Sequence, residues 1–526
     1  MEKTLRTTHH EPLTNHQSPI TTHPYTLFKK TEPLVWIAAL FAGLWLVGVG
    51  LNTQLYVGDE VFHYRLAKAI YAGPWRPLFD PLIHSSEIAK FDYVNAMLWH
   101  TLLAILWKLT GVSFAAAQAY HAGYYVLLVV GTYLLAKTLY DKEQGLISAG
   151  IVATAPMMVS FSVLFYMDIP VTALSVFGLF LIAKRRYRWA GAVLGLAFLT
   201  KRNAYLLAPG FTFLAFYFGN PGWKERVKRG LSFFAPLGGV VLPEFCFRYY
   251  KFGTLTGFTE IEPIYPNPPL DRNWLVAGVG NPLSWVQYFG IALLVLIGVY
   301  AVRRATRKRD LFLWISIAGY VFFYLISFRG WYDVRYLAPV TPFVAVLAAK
   351  GWSGLRHRYM KTLLVGIGLL QFGAVSYYVY VHRQIPPAVE EGFEYIRAHT
   401  LEEDRIMYPE VNLAEWTGRP MMWRSRISLV ELPYLFWKAD AEEAGRILNR
   451  YGIGYILVQK SRIYDDSRTH HLGGYPRSFV KKLPAFPFLK LVFENEALDL
   501  WKIGEKAKTE EGQKSKVRFR LKSTLP

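Results

Sequence analysis

The chain has 526 residues, 53% of them hydrophobic, 16% aromatic and only 18% charged, which excludes an ordinary soluble protein of this length. Its net charge is +21, but the basic residues sit in short clusters between apolar runs and form no single stripe, so nucleic-acid binding is set aside. One cysteine, Cys246, excludes both an intramolecular disulfide and a paired-cysteine metal site.

In chain order, Met1 to Lys30 is polar and rich in His and Thr, so residues 1–33 are expected to be a cytoplasmic arm and not a cleavable signal peptide. Apolar runs follow at about 34–52, 115–137, 145–163, 169–183, 189–200, 204–218, 231–247, 284–302, 311–327, 336–350 and 361–382, each of spanning or nearly spanning length. These predict a polytopic all-α membrane protein of about 11 transmembrane helices over 34–382. Basic clusters at Lys29 and Lys30, Lys137 and Lys142, Lys184 to Arg188, Lys224 to Arg229, Arg303 to Arg309 and Arg356 to Lys361 fall at alternate ends. The positive-inside rule places them in the cytoplasm, and puts a long first loop, 53–114, on the opposite face. Within that loop, Tyr93 to Leu109 reads as an amphipathic helix on the membrane surface, with Trp99, His100, Trp107 and Lys108 in the headgroup layer.

After Tyr380, carboxylates and alternating patterns replace the apolar blocks, predicting a small soluble α/β domain at 383–503 on the non-cytoplasmic side. Helical patterns at 387–399 and 440–451 alternate with strand-like segments Arg405–Tyr408, Tyr455–Gln459, Leu489–Glu494 and Ala497–Ile503, with a hairpin turn at Glu494-Asn495-Glu496. A basic disordered tail is expected at 504–526.

Ionisable residues at span ends are the first candidates for function, because charge in hydrocarbon costs several kcal/mol. Four groups stand out on the non-cytoplasmic side. Asp59-Glu60 with His63 follows the first span; alternatively Asp59 only caps a helix. Asp168 sits in a very short loop before Pro170, a combination that also opens helices. Lys201-Arg202-Asn203 interrupts a hydrophobic stretch, where snorkelling is the simpler account. Arg329 to Tyr336, including Arg335, reads either as a site or as an interfacial belt. Two acidic and two cationic groups on one face outline an acid/base group beside an anion pocket, suited to transfer from a phosphate-linked donor.

In arrangement these residues resemble the GT-C-type membrane glycosyltransferases, especially the protein O-mannosyltransferase and aminoarabinose-transferase superfamily. The resemblance rests on Asp59-Glu60 in a long first outer loop, the surface helix ending in Lys108-Leu109-Thr110-Gly111, and Met167-Asp168 before the fourth span. Gly191 to Lys201 and Arg335-Tyr336-Leu337-Ala338-Pro339 complete it. Members often carry Lys-Pro-Pro before the surface helix, whereas here Lys90 precedes Phe91-Asp92.

The resemblance implies transfer of one sugar from a polyprenyl-phosphate donor to a lipid, glycan or protein acceptor, with membrane lipids as surroundings and inversion at the anomeric centre. It implies Asp59 as general base, with Glu60 positioning the acceptor or serving as base itself, and Asp168 orienting the acceptor. Lys201, Arg202 and Arg335 would hold the donor phosphate, with His63, Arg329, Tyr336 and Lys90 lining the cavity. Asp59, Glu60 and Asp168 are also the ligands for a divalent cation if one is needed. The membrane expected is the plasma membrane, or the endoplasmic reticulum in a eukaryote. A ligase transferring a whole lipid-linked glycan, a secondary transporter and a membrane scaffold are the competing readings.

Overall fold

A computed structural model describes residues 33–53, 58–72, 98–217, 222–252, 282–302, 308–327, 334–409, 412–422, 431–465 and 474–504. Helices run through every one of the eleven apolar segments. They are α1 (Pro33–Leu51), α2 (Gly58–Ala72), α3 (Leu98–Thr110), α4 (Phe114–Leu139), α5 (Lys142–Thr154), α6 (Pro156–Val163), α7 (Asp168–Ala183) and α8 (Tyr187–Thr200). Beyond a 3-10 turn at Arg202–Leu207 come α9 (Ala208–Tyr217), α10 (Trp223–Phe252), α11 (Pro282–Phe289), α12 (Ile291–Val302) and α13 (Lys308–Ser327). A second 3-10 turn, Val334–Val340, leads into α14 (Thr341–Trp352) and α15 (Arg358–His382).

By length and composition, α4 and the helical stretch from Arg358 qualify as membrane spans among the described residues, and α5 with α6 makes a third if that pair is one bent span. Four more apolar helices are shorter. The bend of 56° between α5 and α6 falls at Ala155-Pro156, where proline lacks the N–H an unbroken helix needs. The bundle buries a hydrophobic core and also exposes large apolar side chains on its outside. On α1, Ile37, Leu40, Phe41, Leu44 and Trp45 form an exposed stripe at helical spacing, while Val35, Ala39 and Leu46 are buried.

Small residues bring the helices together. A Cβ at Gly191 of α8 would lie 1.9 Å from the Phe233 carbonyl oxygen of α10, and Gly195 one turn on abuts Val240. At the ends of α13 and α14 remote from the Val334–Val340 turn, buried Asp310 pairs with Lys350 and accepts hydrogen bonds from Tyr140 (2.7 Å) and Tyr300 (3.0 Å).

The loop helix α3 corrects one expectation. Trp99, His100 and Trp107 do not face the headgroups but are completely buried against α2 and α4, and the exposed face carries Leu102, Ile105 and Leu109. Lys108 is exposed and lies over the Tyr71 ring. The aromatic side of the helix packs inside the protein, where Trp107 donates to the Ser113 carbonyl (3.0 Å), and its aliphatic side is exposed.

The C-terminal part has its own hydrophobic core. α16 (Pro387–His399), α17 (Asn412–Thr417), α18 (Glu431–Trp437), α19 (Ala441–Arg450) and α20 (Arg477–Lys482) accompany strands β1 (Arg405–Met407), β2 (Met421–Met422), β3 (Ile453–Gln459), β4 (Ile463–Tyr464), β5 (Tyr475–Pro476), β6 (Leu489–Glu494) and β7 (Leu498–Ile503). The main sheet has the order β2-β1-β3-β7-β6, parallel on the β1 side and antiparallel at β3-β7-β6; β4 and β5 form a separate pair. The hairpin expected around Asn495 is present, its side chain accepting from the N–H groups of Ala497 (3.0 Å) and Leu498 (2.8 Å).

Candidate active site

Four of the sequence candidates meet at one end of the bundle. Asp168 is the first residue of α7, and Lys201 caps the C-terminus of α8. Lys201 Nζ donates to Asp168 Oδ1 at 2.6 Å, and Asp168 is fully buried at a helix N-terminus, where the dipole also favours its charge. Its Oδ2 is buried with no hydrogen-bond partner among the described residues. Lys201 Nζ lies 5.0 Å from the centre of the Tyr336 ring, and the Arg335 guanidinium lies 5.3 Å from the same ring and 5.5 Å from that of Tyr166. Two cations therefore share one aromatic platform. Arg202, half-buried, opens the 3-10 turn next to Lys201.

From α2, His63 enters the same region. Burial, then the fields of Lys201 and Arg335, lower its pKa to about 3, so the ring is neutral at physiological pH. His63 Nδ1 lies 3.0 Å from His100 Nε2, so one ring donates to the other. Burial, reinforced by His63, also holds His100 well below the usual histidine range. Trp99 packs edge-on to His63 and touches Phe165, its ring centre 4.5 Å away, and His121 Nε2 is 2.7 Å from the Phe161 carbonyl.

Glu60 is held by Arg383. It is fully buried, and Arg383 donates to both of its oxygens, from Nη2 to Oε2 at 2.8 Å and from Nε to Oε1 at 3.3 Å. Phe165 N–H adds a third bond at 3.3 Å. The carboxylate thus ties the first turn of α2 to the end of α15 and to the backbone before α7. Asp59 lies beside it in the first turn of α2, which begins one residue earlier, at Gly58; its side chain is outside the described residues. Lys90 and Arg329 are also outside them.

Of the three carboxylates weighed for a divalent cation, Asp59 has its side chain outside the described residues. Glu60 is taken by Arg383 and Asp168 by Lys201, and no group of three or more His, Cys, Asp or Glu side chains placed to hold a metal occurs among the described residues.

Sequence reasoning missed Arg383 and His121, and placed His100 in the headgroup layer. Arg383 did leave a signal: in the topology read from the sequence it is a basic residue at the non-cytoplasmic end of the last span, where the positive-inside rule expects few. The histidines on α3 and α4 carry no pattern that separates them from packing residues.

The helical bundle with its loop helices has the polytopic GT-C fold of ArnT. Residues 95–244 match the family model for dolichyl-phosphate-mannose-protein mannosyltransferase, so the resemblance to the GT-C-type membrane glycosyltransferases stands. ArnT from Cupriavidus metallidurans, bound to undecaprenyl phosphate, superposes with a TM-score of 0.59 at 12% identity over 88% of this chain and 97% of that one. AglB, the archaeal oligosaccharyltransferase of Archaeoglobus fulgidus, in complex with an inhibitory peptide and a dolichol-phosphate, gives 0.51 at 14% identity over 80% of this chain and 69% of that one. The Archaeoglobus fulgidus oligosaccharyltransferase tethered to an acceptor peptide gives 0.58 at 16%, with the same coverage. No curated protein matches the chain by sequence.

Proposed function

We propose that this protein transfers a single sugar from a polyprenyl-phosphate donor to a hydroxyl of a lipid, glycan or protein acceptor on the non-cytoplasmic face of its membrane. The observation that carries this reading is the convergence of Lys201 and Arg335 on the Tyr336 ring, beside buried Asp168 and at the start of the loop helices. ArnT with undecaprenyl phosphate and AglB with dolichol-phosphate support a lipid-phosphate donor.

In this mechanism Asp59 takes the proton of the acceptor hydroxyl, whose oxygen attacks the anomeric carbon. The bond from that carbon to the phosphate oxygen breaks, and the polyprenyl phosphate leaves with the bonding electrons. Lys201, Arg335 and neighbouring Arg202 stabilise the charge that grows on it. One base opposite one leaving-group site gives inversion. Asp168 holds Lys201 toward the phosphate, and its Oδ2 accepts from a sugar or acceptor hydroxyl. Glu60 acts as an anchor, and His63, neutral and buried, shapes the cavity together with Tyr336, Lys90 and Arg329.

The topology proposed has eleven spans over 34–382, with the active site, the α/β unit at 383–503 and the basic tail at 504–526 on the outer side. Membranes carrying wild type or Asp59→Asn at equal levels, supplied with radiolabelled polyprenyl-phosphate sugars, test the activity. Label should reach an acceptor only with wild type. Consumption of no donor by wild type, or equal transfer by the variant, defeats the reading.

The similarity to an oligosaccharyltransferase favours a second reading, in which a whole glycan moves in one step. The size increment on the labelled acceptor separates the two: one sugar in the first case, an intact oligosaccharide in the second.

A further inference from the structure

The α/β unit and the segment that leads into it hold the loop helix α2 at two separate places. Arg383, only 1% exposed at the C-terminal end of α15, reaches back over more than 300 residues to Glu60 and donates from Nη1 to Thr53 Oγ1 at 2.6 Å. Its neighbour Gln384 donates to the Asn52 carbonyl at 3.0 Å. The end of α1 and the first turn of α2 are therefore both fastened to the segment that enters the α/β unit. Further along α2, Glu415 of α17 accepts from Arg65 Nη1 at 3.1 Å and from Lys68 Nζ at 2.8 Å. These contacts span more than two turns of one helix. With Glu60 held on both oxygens at one end and Arg65 and Lys68 paired at the other, α2 can neither roll about its axis nor slide without stranding a buried charge.

We infer that the α/β unit acts as a clamp that sets the register of α2, with Arg383 as the positioning residue for the Asp59-Glu60 turn and Glu415 as its second fastening point. The role of Asp59 rests on the proposed function; the clamp itself rests on the contacts. Arg383 works through Glu60 and touches no substrate. The α/β unit therefore controls the chemical step through α2, in addition to any part it plays in admitting the acceptor.

The test uses the purified full chain in detergent micelles, with two readouts: sugar transfer from a defined polyprenyl-phosphate donor, and amide hydrogen exchange across residues 58–72. Arg383→Met should lower kcat by about 100-fold, the loss that accompanies a displacement of about 1 Å at a reacting group, with the donor KM unchanged. Arg383→Lys should recover part of that loss, since a point charge replaces one arm of the fork. Glu60→Gln added to Arg383→Met should cost nothing further, because both variants break the same link. Glu415→Gln, at a part-exposed carboxylate and isosteric, should also speed exchange in α2 and lower kcat; it keeps the test decisive if Arg383→Met fails to fold. Unchanged α2 exchange in Glu415→Gln and Arg383→Lys overturns the clamp, as does a wild-type kcat in both. If wild type transfers no sugar yet α2 exchange responds to these variants, the clamp is supported while the transferase reading falls.

Discussion

Asp168 and Lys201 form a 2.6 Å ion pair that joins the first residue of α7 to the residue closing α8, with the carboxylate fully buried. Removing one member leaves a charge in a low-dielectric interior, which costs more than removing both. Lys201→Met should therefore destabilise the protein by about 3–5 kcal/mol. Asp168→Asn together with Lys201→Met should cost clearly less than Lys201→Met alone. Thermal unfolding in detergent of the two single variants and the double variant measures the coupling, and a double variant whose loss equals the sum of the singles rules it out.

His63 makes stability depend on pH, with a sign fixed by its environment. Burial, followed by Lys201 and Arg335, lowers its folded pKa to about 3, from an unfolded value near 6.5. Between these two values the unfolded chain binds more protons than the folded one. The contribution is thus complete above about pH 6.5 and is lost as pH falls toward 3, at up to about 1.4 kcal/mol per pH unit. His63→Asn should flatten the acid limb of the unfolding midpoint between pH 6 and 4 while leaving its slope above pH 7 unchanged. An acid limb as steep as that of wild type contradicts this.

The contact of α8 with α10 leaves no room at Gly191. Its Cβ position lies 1.9 Å from a backbone oxygen, that of Phe233, so no side-chain rotation relieves the overlap. Gly191→Ala should cost about 1–3 kcal/mol, the usual range for overpacking. Because α8 ends at Lys201, it should also weaken binding of a polyprenyl phosphate. Gly150→Ala serves as control: nothing lies within 4 Å of its Cβ position, and alanine suits a helix better than glycine. Thermal midpoints for both variants, with lipid-phosphate binding for Gly191→Ala, check the prediction. Equal midpoints would show that the two helices can move apart at no cost.

How much of this was legible in the sequence differs from element to element. Each of the eleven apolar segments is helical, because a backbone in hydrocarbon must satisfy its own hydrogen bonds and the length of an apolar run is a local property. The alternating patterns after Tyr380 became the strands β1, β3, β6 and β7 for the same local reason, whereas the two-residue strands β2, β4 and β5 are too short to leave a pattern. The helix before Thr110 was found, but Trp99, His100 and Trp107 lie on its buried side, with only Lys108 exposed as expected. Amphipathicity separates two faces without saying which one meets lipid when the protein interior is itself aromatic.

By itself, then, the sequence determined the apolar helices, the switch to an α/β unit and the residues that carry charge at the rim of the bundle. Only the tertiary structure decided how those charges are spent: Lys201 on Asp168, Arg383 on Glu60, Arg65 and Lys68 on Glu415. A span is specified by neighbours along the chain. An ion pair between residues as far apart as Glu60 and Arg383 exists only once every intervening helix has packed, so no local signal names the partner.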